Sequence, residues 1–420
     1  VVVSEPPSSG PRWIQKGQPL LGGESYDAFG SSLAINGDGT VLVVGSPQSE
    51  TPNKGKTDLF LFQSETDAWV ASELDDTFAS TVTSESGFAV AIDRNSTIVA
   101  WSAPFDTNLQ VQVCNLIETN EKPQQCNTFR GDMDQESFGY SISLSGDGNV
   151  LAVGAPTFDV LSTGQVRIFR QTVAASWELV TDLFGENAGD RFGSSVALSD
   201  DGRVLAVGAP EANVDFPMQG YVQVFRTVAG DYQEWHNRGR KIPGPDDSQS
   251  QWGSSLSLSA DGRVLAVGAY QYHEIAGQMG RGAVGVFWWS EVIGDWSPPE
   301  GLLRNKDSQQ CEHFGRSVSL SGDGKRLAVG SEANRESGYG AGKATVYERS
   351  TDSSSAGGEG GWTQVGSNAV YGESLFEGTG AAVALSGDGR AIAVGSPDFS
   401  DVSANRKNVG KVRVFTLAQS

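Results

Sequence analysis

The chain repeats one pattern of apolar and polar positions. In each copy a glycine precedes a stretch of alternating small and apolar residues, a turn follows, and a continuous apolar run ends in Gly-Ala-Pro or a relative. Alternation is typical of a half-buried strand, and a continuous run suits a strand covered on both faces. Asp-Gly supplies the turn, because such loops need residues that tolerate positive φ. Each copy therefore begins with a hairpin. The leading glycines are Gly30, Gly87, Gly139, Gly193, Gly253, Gly315 and Gly380.

Two further strands follow each hairpin. The third is an apolar segment that opens with glycine, as in 164–169 and 220–225. A tryptophan then opens a fourth segment in most copies, and no segment shows a helical apolar period over helical length. The sequence predicts an all-β protein in which each repeat is one four-stranded antiparallel sheet. The tryptophans are Trp69, Trp177, Trp235, Trp296 and Trp362.

The two ends of the chain indicate how the repeats are arranged. The glycines recur about every 58 residues, a spacing typical of propellers and solenoids. The last repeat stops soon after Phe415 without a tryptophan, whereas the segment at Trp13 matches the one at Trp362. We therefore expect the N-terminal strand to complete the last blade and close a seven-bladed β-propeller, since a solenoid needs capping repeats with polar outer faces. This interpretation gives a flexible leader over 1–11 and a single propeller over 12–420.

The pattern resembles a known repeat. In the third copy, residues 138–156 follow the order Phe-Gly, alternating strand, Asp-Gly, Leu-Ala-Val-Gly-Ala-Pro. This order resembles the FG-GAP repeat, the unit of the integrin α-chain propeller and of many secreted or surface proteins. The second and seventh copies depart from it, with Ser86 and Thr379 in place of the phenylalanine. The resemblance covers nearly the whole chain and implies a propeller that serves adhesion or recognition.

The resemblance also implies calcium in the hairpin loops. Integrin-like repeats carry the form D-x-D-x-D-G-x-x-D there, whereas loops such as 145–148 and 199–202 contain only one or two acidic residues. Calcium takes about six to eight oxygen ligands, several of them from carboxylates. We therefore interpret the loops as plain turns and expect no cofactor and no metal site.

Composition narrows the possible partners. The formal charge is −21, from 51 acidic and 30 basic residues, and no basic stripe runs through the repeats. Nucleic acid is excluded as a partner on this ground, because its binding depends on Lys and Arg at the phosphates. No apolar stretch reaches the roughly 18 residues needed to span a bilayer, so we expect no membrane insertion.

The cysteines bear on the compartment. Cys114 and Cys126 fall on neighbouring antiparallel strands of the second repeat and can form a disulfide if their Cα atoms come within about 7 Å. Cys311 is interpreted as a free thiol. A disulfide indicates an oxidising compartment. The sequon at Asn95 is a candidate for N-glycosylation that points the same way, although asparagine is also an ordinary turn residue.

No catalytic constellation is visible. The three histidines, His236, His273 and His313, lie far apart without metal-ligand spacing, and no nucleophile elbow or phosphate loop occurs. Propeller enzymes do assemble sites at the axis from several blades. The innermost strands here begin with small residues, which argues against such a site. They are Ser32, Ala89, Ser141, Ser195, Ser255, Ser317 and Ala382.

One face of the disc should be acidic. The loops between blades share this face with the loops after Gly-Ala-Pro, and candidate binding carboxylates on it include Asp27, Asp134 and Asp190. Such carboxylates either form a ring around the channel mouth that holds a cation or basic partner, or are turn residues beside glycines. Both interpretations stay open.

The longest loops on that face carry aromatic residues. Exposed aromatic side chains on rigidly held loops are typical of recognition surfaces, although such loops can also be neutral insertions. The candidate binding residues are Tyr270, Tyr272, His273, Phe216 and Phe399.

These observations favour a non-enzymatic binding or adhesion module, extracellular or at the cell surface, that recognises a protein or a glycan through its loop face. One alternative is a structural propeller in a larger assembly. The other is an enzyme with a site in the central channel.

Overall fold

The computed structural model describes most of the chain. The described residues are 11–49, 54–72, 85–105, 110–116, 125–132, 136–172, 176–228, 231–245, 249–273, 280–299, 301–305, 311–350, 361–366 and 368–418. Their regular structure is β-strand, and none of them belongs to a helix with the length and hydrophobicity needed to cross a membrane. Of the predicted leader, only Pro11 falls within these ranges.

The strands form seven antiparallel sheets, which confirms the predicted blades. The first two, β1 (Arg12–Gln15) and β2 (Leu20–Leu21), belong to the last blade. Blade 1 contains β3 (Ser32–Ile35), β4 (Val41–Ser46), β5 (Lys56–Gln63) and β6 (Ala68–Ser72), and blade 2 contains β7 (Val90–Ile92), β8 (Ile98–Ala103), β9 (Gln110–Asn115) and β10 (Gln125–Arg130). Blade 3 contains β11 (Ser141–Leu144), β12 (Val150–Ala155), β13 (Gln165–Gln171) and β14 (Trp177–Phe184), and blade 4 contains β15 (Ser195–Leu198), β16 (Val204–Ala209), β17 (Tyr221–Val228), β18 (Asp231–Asn237) and β19 (Ile242–Pro243). Blade 5 contains β20 (Ser255–Leu258), β21 (Val264–Ala269), β22 (Ala283–Ser290) and β23 (Asp295–Ser297), and blade 6 contains β24 (Ser317–Leu320), β25 (Arg326–Ser331), β26 (Lys343–Arg349), β27 (Trp362–Gln364) and β28 (Val370–Tyr371). Blade 7 contains β29 (Ala382–Leu385), β30 (Ala391–Ser396) and β31 (Lys411–Ala418).

The ring closes through the N-terminal strand, as predicted. Strand β1 pairs with β31, with Trp13 opposite Leu417, and β2 pairs with the start of β31. The Trp13 indole also donates to the Val365 carbonyl of blade 6 at 3.1 Å. The innermost strands contact one another from β3 through β7, β11, β15, β20, β24 and β29 back to β3.

The cores lie between adjacent blades. In the layer between blades 3 and 4, Phe192 packs with Val150 and Ile168 on one side and Leu205 and Val207 on the other. Burial of such a ring contributes roughly 1.5–3 kcal/mol to stability. This explains why an aromatic residue recurs before the glycine. The buried aromatics at this position are Phe29, Phe138, Phe192, Trp252 and Phe314.

A different residue fills the layer between blades 1 and 2. Ser86 is fully buried there in place of the phenylalanine. The Trp101 side chain from β8 is also fully buried and packs with Val43, Leu59 and Val99. A large ring from a neighbouring strand thus supplies the bulk that the degenerate repeat lacks.

The leading glycines and the small residues of the innermost strands join the blades. Gly193 has φ of 90°, and its N–H donates to the Gly208 carbonyl at 3.0 Å. A Cβ atom at Gly154 of the preceding blade would overlap the Gly193 carbonyl. The Ser141 hydroxyl donates to that same carbonyl at 2.8 Å. Equivalent bonds across blade junctions are made by Ser32, Ser195, Ser255 and Ser317.

A disulfide lies on the outer edge of blade 2. Cys114 and Cys126 are directly opposite in the pairing of β9 and β10, and they are bonded with their Cα atoms 4.1 Å apart. Cys311 is a free, half-buried thiol. Asn95 is exposed in the hairpin turn of blade 2, where its glycosylation stays a prediction.

Candidate functional site

The hairpin turns close one end of the central channel. We call this end the Asp-Gly face. Each turn donates a backbone N–H to a carbonyl of the next turn, so that the bonds run completely around the axis. The bonds are Gly37 to Arg94 at 3.0 Å, Arg94 to Gly146 at 3.1 Å, Asp147 to Asp200 at 3.0 Å, Asp200 to Ala260 at 2.9 Å, Ala260 to Gly322 at 2.8 Å, Gly322 to Gly387 at 2.8 Å and Asp388 to Gly37 at 3.1 Å.

An ion pair covers the axis at this end. The Arg94 guanidinium from blade 2 binds the Asp200 carboxylate from blade 4. The same guanidinium lies so close to Gly322 of blade 6 that a Cβ there would be 2.7 Å from Arg94 Nη2. Burial raises the pKa of the Asp200 carboxyl, and the charge of Arg94 opposes that shift. The other five turns have only glycine or alanine at this position, which leaves room for the pair.

The aspartates that directly precede the turn glycines are bonded within their own turns. Asp147 Oδ1 accepts from the Ser145 hydroxyl at 2.6 Å and from the Asn149 N–H at 3.0 Å. Asp201, Asp261, Asp323 and Asp388 repeat this arrangement. Across the described ranges, no three His, Cys, Asp or Glu side chains are placed to hold a metal ion. The geometry is that of a plain Asx-type turn.

The opposite end carries varied side chains on a repeated backbone. We call it the Phe-Gly face, and its axial opening the mouth. The residue before each Phe-Gly pair, or its equivalent, has a left-handed conformation in every repeat, so the fold requires this conformation while the side chain varies. Residues other than glycine seldom adopt the left-handed conformation. The residues are Ala28, Glu85, Ser137, Arg191, Gln251 and His313, with φ between 52° and 58°, and Gly378, with φ of 67°.

One cluster lies at the mouth on blades 5 to 7. The Tyr270 and His313 rings meet edge to face at 5.5 Å, and the Arg316 guanidinium lies 5.3 Å from the Tyr270 ring centre. Glu332 Oε1 lies 3.2 Å from His313 Nδ1 and 3.3 Å from Arg316 Nε. Burial opposes the charge of Glu332, but these two partners hold its pKa below the usual range. Burial, followed by the nearby Glu332 charge, raises the pKa of Asp398.

A second cluster lies at the mouth on blades 2 to 4. The Phe88 ring is 5.3 Å from Phe105 and 5.1 Å from Tyr140. The Arg191 guanidinium lies 5.9 Å from the Tyr140 ring centre and binds Glu211 at 2.8 Å. Both clusters thus combine aromatic rings with a paired arginine. This arrangement can stack on a ligand and donate hydrogen bonds to it.

A family model of the FG-GAP repeat matches residues 185–225, which run from the loop that enters blade 4 into its third strand. The other six blades have the same strand order and the same glycine hydrogen bond. The matched repeat and the seven equivalent blades fit an FG-GAP propeller. No curated protein sequence matches it.

Solved structures support the propeller fold. Hydrazine synthase from Kuenenia stuttgartiensis is similar with a TM-score of 0.55 and 14% identity, over 97% of this chain and 99% of that one. A provisionally assigned 6-phosphogluconolactonase from Bacteroides uniformis is similar with a TM-score of 0.54 and 14% identity, over 81% of this chain and 85% of that one. At such identity the likeness shows the fold alone.

The predicted aromatic residues have different surroundings. Tyr270 lies in the mouth, whereas Tyr272 packs against the core between blades 4 and 5. His273 Nδ1 lies 2.8 Å from the Gln271 carbonyl. Phe216 is 39% exposed on its loop, and Phe399 lies under the Lys411 ammonium at 4.0 Å. Tyr270 is therefore the one of these five that the structure brings into a mouth cluster.

Two of the three predicted carboxylates are bonded within their own loops. Asp27 is buried and accepts from the Glu24 N–H at 2.8 Å. Asp190 is buried and accepts from the Asn187 N–H at 3.1 Å and the Tyr221 hydroxyl at 3.2 Å. These contacts fit the interpretation as turn residues. Asp134 lies outside the described residues.

Among the mouth residues that sequence reasoning missed, Phe88, Tyr140 and Arg316 share one position in the repeat. Each directly follows a leading glycine, at a position that is serine or alanine in the other four repeats. Alignment of the repeats by this glycine shows the three large side chains at once. Their position in the repeat was therefore an available signal.

Proposed function

We propose that this FG-GAP propeller is a non-enzymatic binding module that recognises a protein or a glycan at the mouth of its Phe-Gly face. The observation that supports this most is the pair of aromatic and ionic clusters around Tyr140 and Tyr270, which lie on opposite halves of the ring. Tyrosine and arginine are over-represented among the residues that dominate binding energy.

The closed end supports binding at the mouth rather than inside the channel. The ring of turn hydrogen bonds and the Arg94–Asp200 pair cover the axis on the Asp-Gly face. A ligand therefore approaches from the Phe-Gly face, where Arg191, Arg316 and His313 offer donors and Glu332 offers an acceptor. Rigid blades hold these groups in place, which lowers the ordering cost of binding.

We also propose an extracellular or cell-surface location and no need for calcium. The Cys114–Cys126 disulfide and the exposed sequon at Asn95 support the location. The hydrogen bonds that the acidic turn residues make within their turns support the second point. We expect the melting temperature to be the same with calcium and with a chelator. A rise with stoichiometric calcium would contradict this.

A direct experiment is a screen of the immobilised protein against a glycan array and a library of secreted proteins. A ligand that binds the wild type should lose at least about tenfold in affinity to Tyr140→Ala and to Tyr270→Ala, because each removes an aromatic contact. Leu179→Ala, at an exposed site on outer strand β14, is the control and should bind normally. Unchanged affinity in both tyrosine variants would place the binding surface elsewhere.

One observation favours a second candidate function, an acid–base enzyme at the same mouth. The pKa of Glu332 is lowered and that of its neighbour Asp398 is raised, so one is suited to be a base and the other an acid. Hydrolysis of a sugar lactone or of a nitrophenyl glycoside tests it. Turnover that is lost in Asp398→Asn, with the fold intact by circular dichroism, would favour the enzyme over the binding module.

A further inference from the structure

One trio of side chains, a tyrosine, an arginine and a glutamate, occurs in two copies at the mouth. The first copy spans blades 3 and 4. The Arg191 guanidinium lies 5.9 Å from the centre of the Tyr140 ring, and its Nη1 binds Glu211 Oε1 at 2.8 Å. The arginine and glutamate side chains are 30% and 33% exposed, and Tyr140 is half-buried. A ligand at the mouth can therefore reach all three groups.

The second copy spans blades 5 and 6, two blades further around the ring. The Arg316 guanidinium lies 5.3 Å from the centre of the Tyr270 ring, and its Nε lies 3.3 Å from Glu332 Oε1. The arginine and glutamate side chains are 44% and 27% exposed, so this copy is accessible as well. In both copies the tyrosine comes from one blade, and the arginine and the glutamate come from the next.

The likeness of the two copies does not follow from the sequence repeat. Tyr140 directly follows a leading glycine, whereas Tyr270 ends the segment that is Gly-Ala-Pro in blade 3. Arg191 precedes a Phe-Gly pair, whereas Arg316 follows one. The same chemistry is thus assembled from different positions of the repeat. This favours a shared kind of ligand over a requirement of the fold.

Each trio offers a ring, hydrogen-bond donors and hydrogen-bond acceptors without net charge. The guanidinium only donates and the ionised carboxylate only accepts, and their charges cancel because they are bound to each other. A hydroxyl group both donates and accepts, so two neighbouring hydroxyls can bond to the arginine and the glutamate together. A sugar ring carries such hydroxyls at its edge and C–H groups on its faces, which can pack against an aromatic ring.

The other charges of the Phe-Gly face disfavour acidic sugars. Burial raises the pKa of the Glu85 carboxyl, and burial followed by the charge of Glu332 raises the pKa of the Asp398 carboxyl. Neither carboxyl has a cation in the described part of the chain that opposes this shift. Their negative charge would repel a uronic acid or another acidic sugar.

We propose that the mouth binds an uncharged glycan, with one sugar ring at each trio. This inference rests on the function proposed above and selects a glycan rather than a protein as the ligand. Because the two trios lie on one rigid ring of blades, a glycan with several sugar rings should bind more tightly than a single sugar.

The first experiment presents the intact protein with neutral and acidic oligosaccharides, an oligo-lysine peptide and enzymatically deglycosylated secreted proteins. We expect neutral oligosaccharides to bind and acidic ones not to bind. Affinity for the tightest neutral oligosaccharide should fall at least about tenfold in Tyr140→Ala and in Tyr270→Ala. Tyr140→Phe and Tyr270→Phe keep the ring and should bind nearly as the wild type does. Glu178→Gln, at an exposed site on outer strand β14, is the control for an unrelated change of charge.

The number of sites gives a second readout. A calorimetric titration with the monosaccharide unit of that oligosaccharide should show two sites per chain in the wild type. Tyr140→Ala and Tyr270→Ala should each leave one site, and the double variant should leave none. Unchanged melting temperatures of the variants show that the fold is intact.

The possible failures separate this inference from the function on which it rests. Failure of every neutral glycan to bind, binding of acidic glycans alone, or a single monosaccharide site that neither tyrosine variant changes would overturn the inference. A deglycosylated protein or the oligo-lysine peptide that binds in place of neutral glycans, and that Tyr140→Ala and Tyr270→Ala weaken, would also overturn it but would leave the mouth as the binding surface. Ligand binding that no mouth variant weakens would contradict both proposals.

Discussion

The two faces of the disc have the same repeated backbone but use it differently. On the Asp-Gly face, small turn residues let successive turns bond to each other, and the Arg94–Asp200 pair covers the axis. On the Phe-Gly face, the left-handed residue and the residue after each leading glycine differ between blades. The residue after the glycine, for example, is Ser31 in blade 1, Phe88 in blade 2 and Arg316 in blade 6. The comparison shows that closing one face through backbone bonds leaves the side chains of the other face free to differ between blades.

The largest expected effect comes from the glycine backbone that supports the Phe-Gly face. Gly193→Ala should lower the free energy of unfolding by about 3 kcal/mol or more, because φ is 90° and the new Cβ would lie 2.6 Å from the Gln165 carbonyl oxygen. Gly189→Ala is the matched control, with φ of 80° but open space around the Cβ, and should cost only about 1 kcal/mol. Equal losses in chemical denaturation would show that the close approach between blades is unimportant.

A pH titration of stability tests a paired carboxylate on the Phe-Gly face. On the Phe-Gly face, burial opposes the charge of Glu336, but bonds from Lys343, Tyr371 and Asn305 lower its pKa to about 2. Since the folded pKa lies below the ordinary 4.5, its stabilisation is full above pH 4.5 and is lost as the pH falls toward about 2.

The matching variant is Glu336→Gln. It should lose about 1 kcal/mol at pH 7, after allowance for solvent screening of this partly exposed group, and much less at pH 2, where the carboxyl is largely protonated in the unfolded state and partly protonated in the folded state. Glu178→Gln, an exposed site on β14, controls for the loss of one charge. A Glu336→Gln penalty that is the same at both pH values would contradict the assignment.

The smallest expected effect concerns the ion pair on the Asp-Gly face. A double-mutant cycle of Arg94→Ala and Asp200→Ala should give a coupling energy of about 0.5 kcal/mol, because both side chains are more than a third exposed. The coupling should shrink in high salt. A coupling that does not respond to salt would mean that the two side chains interact through packing rather than charge.

The sequence repeat predicted the strands, turns and blades well. Apolar alternation, Asp-Gly turns and the tryptophan segments each indicate a strand or a turn from neighbouring residues alone. The pairing of Trp13 with the last blade followed from the same signals. The axial features were not predictable in this way. Arg94 and Asp200 come from different blades and meet only because the turns between and around them are small. Asp27 looks like a surface acid in sequence, and only the loop geometry shows that its carboxylate binds its own backbone.

The central claim is that recognition belongs to the Phe-Gly face. In a Cys311→Ser background, a bulky polymer is coupled to Ser254→Cys, beside the mouth, or to Lys325→Cys in a turn of the Asp-Gly face. Binding of a ligand found in the screen is then measured for both conjugates. We predict that the polymer at position 254 abolishes binding and that the polymer at position 325 leaves it intact. The reverse result, or equal loss from both positions, would contradict the claim.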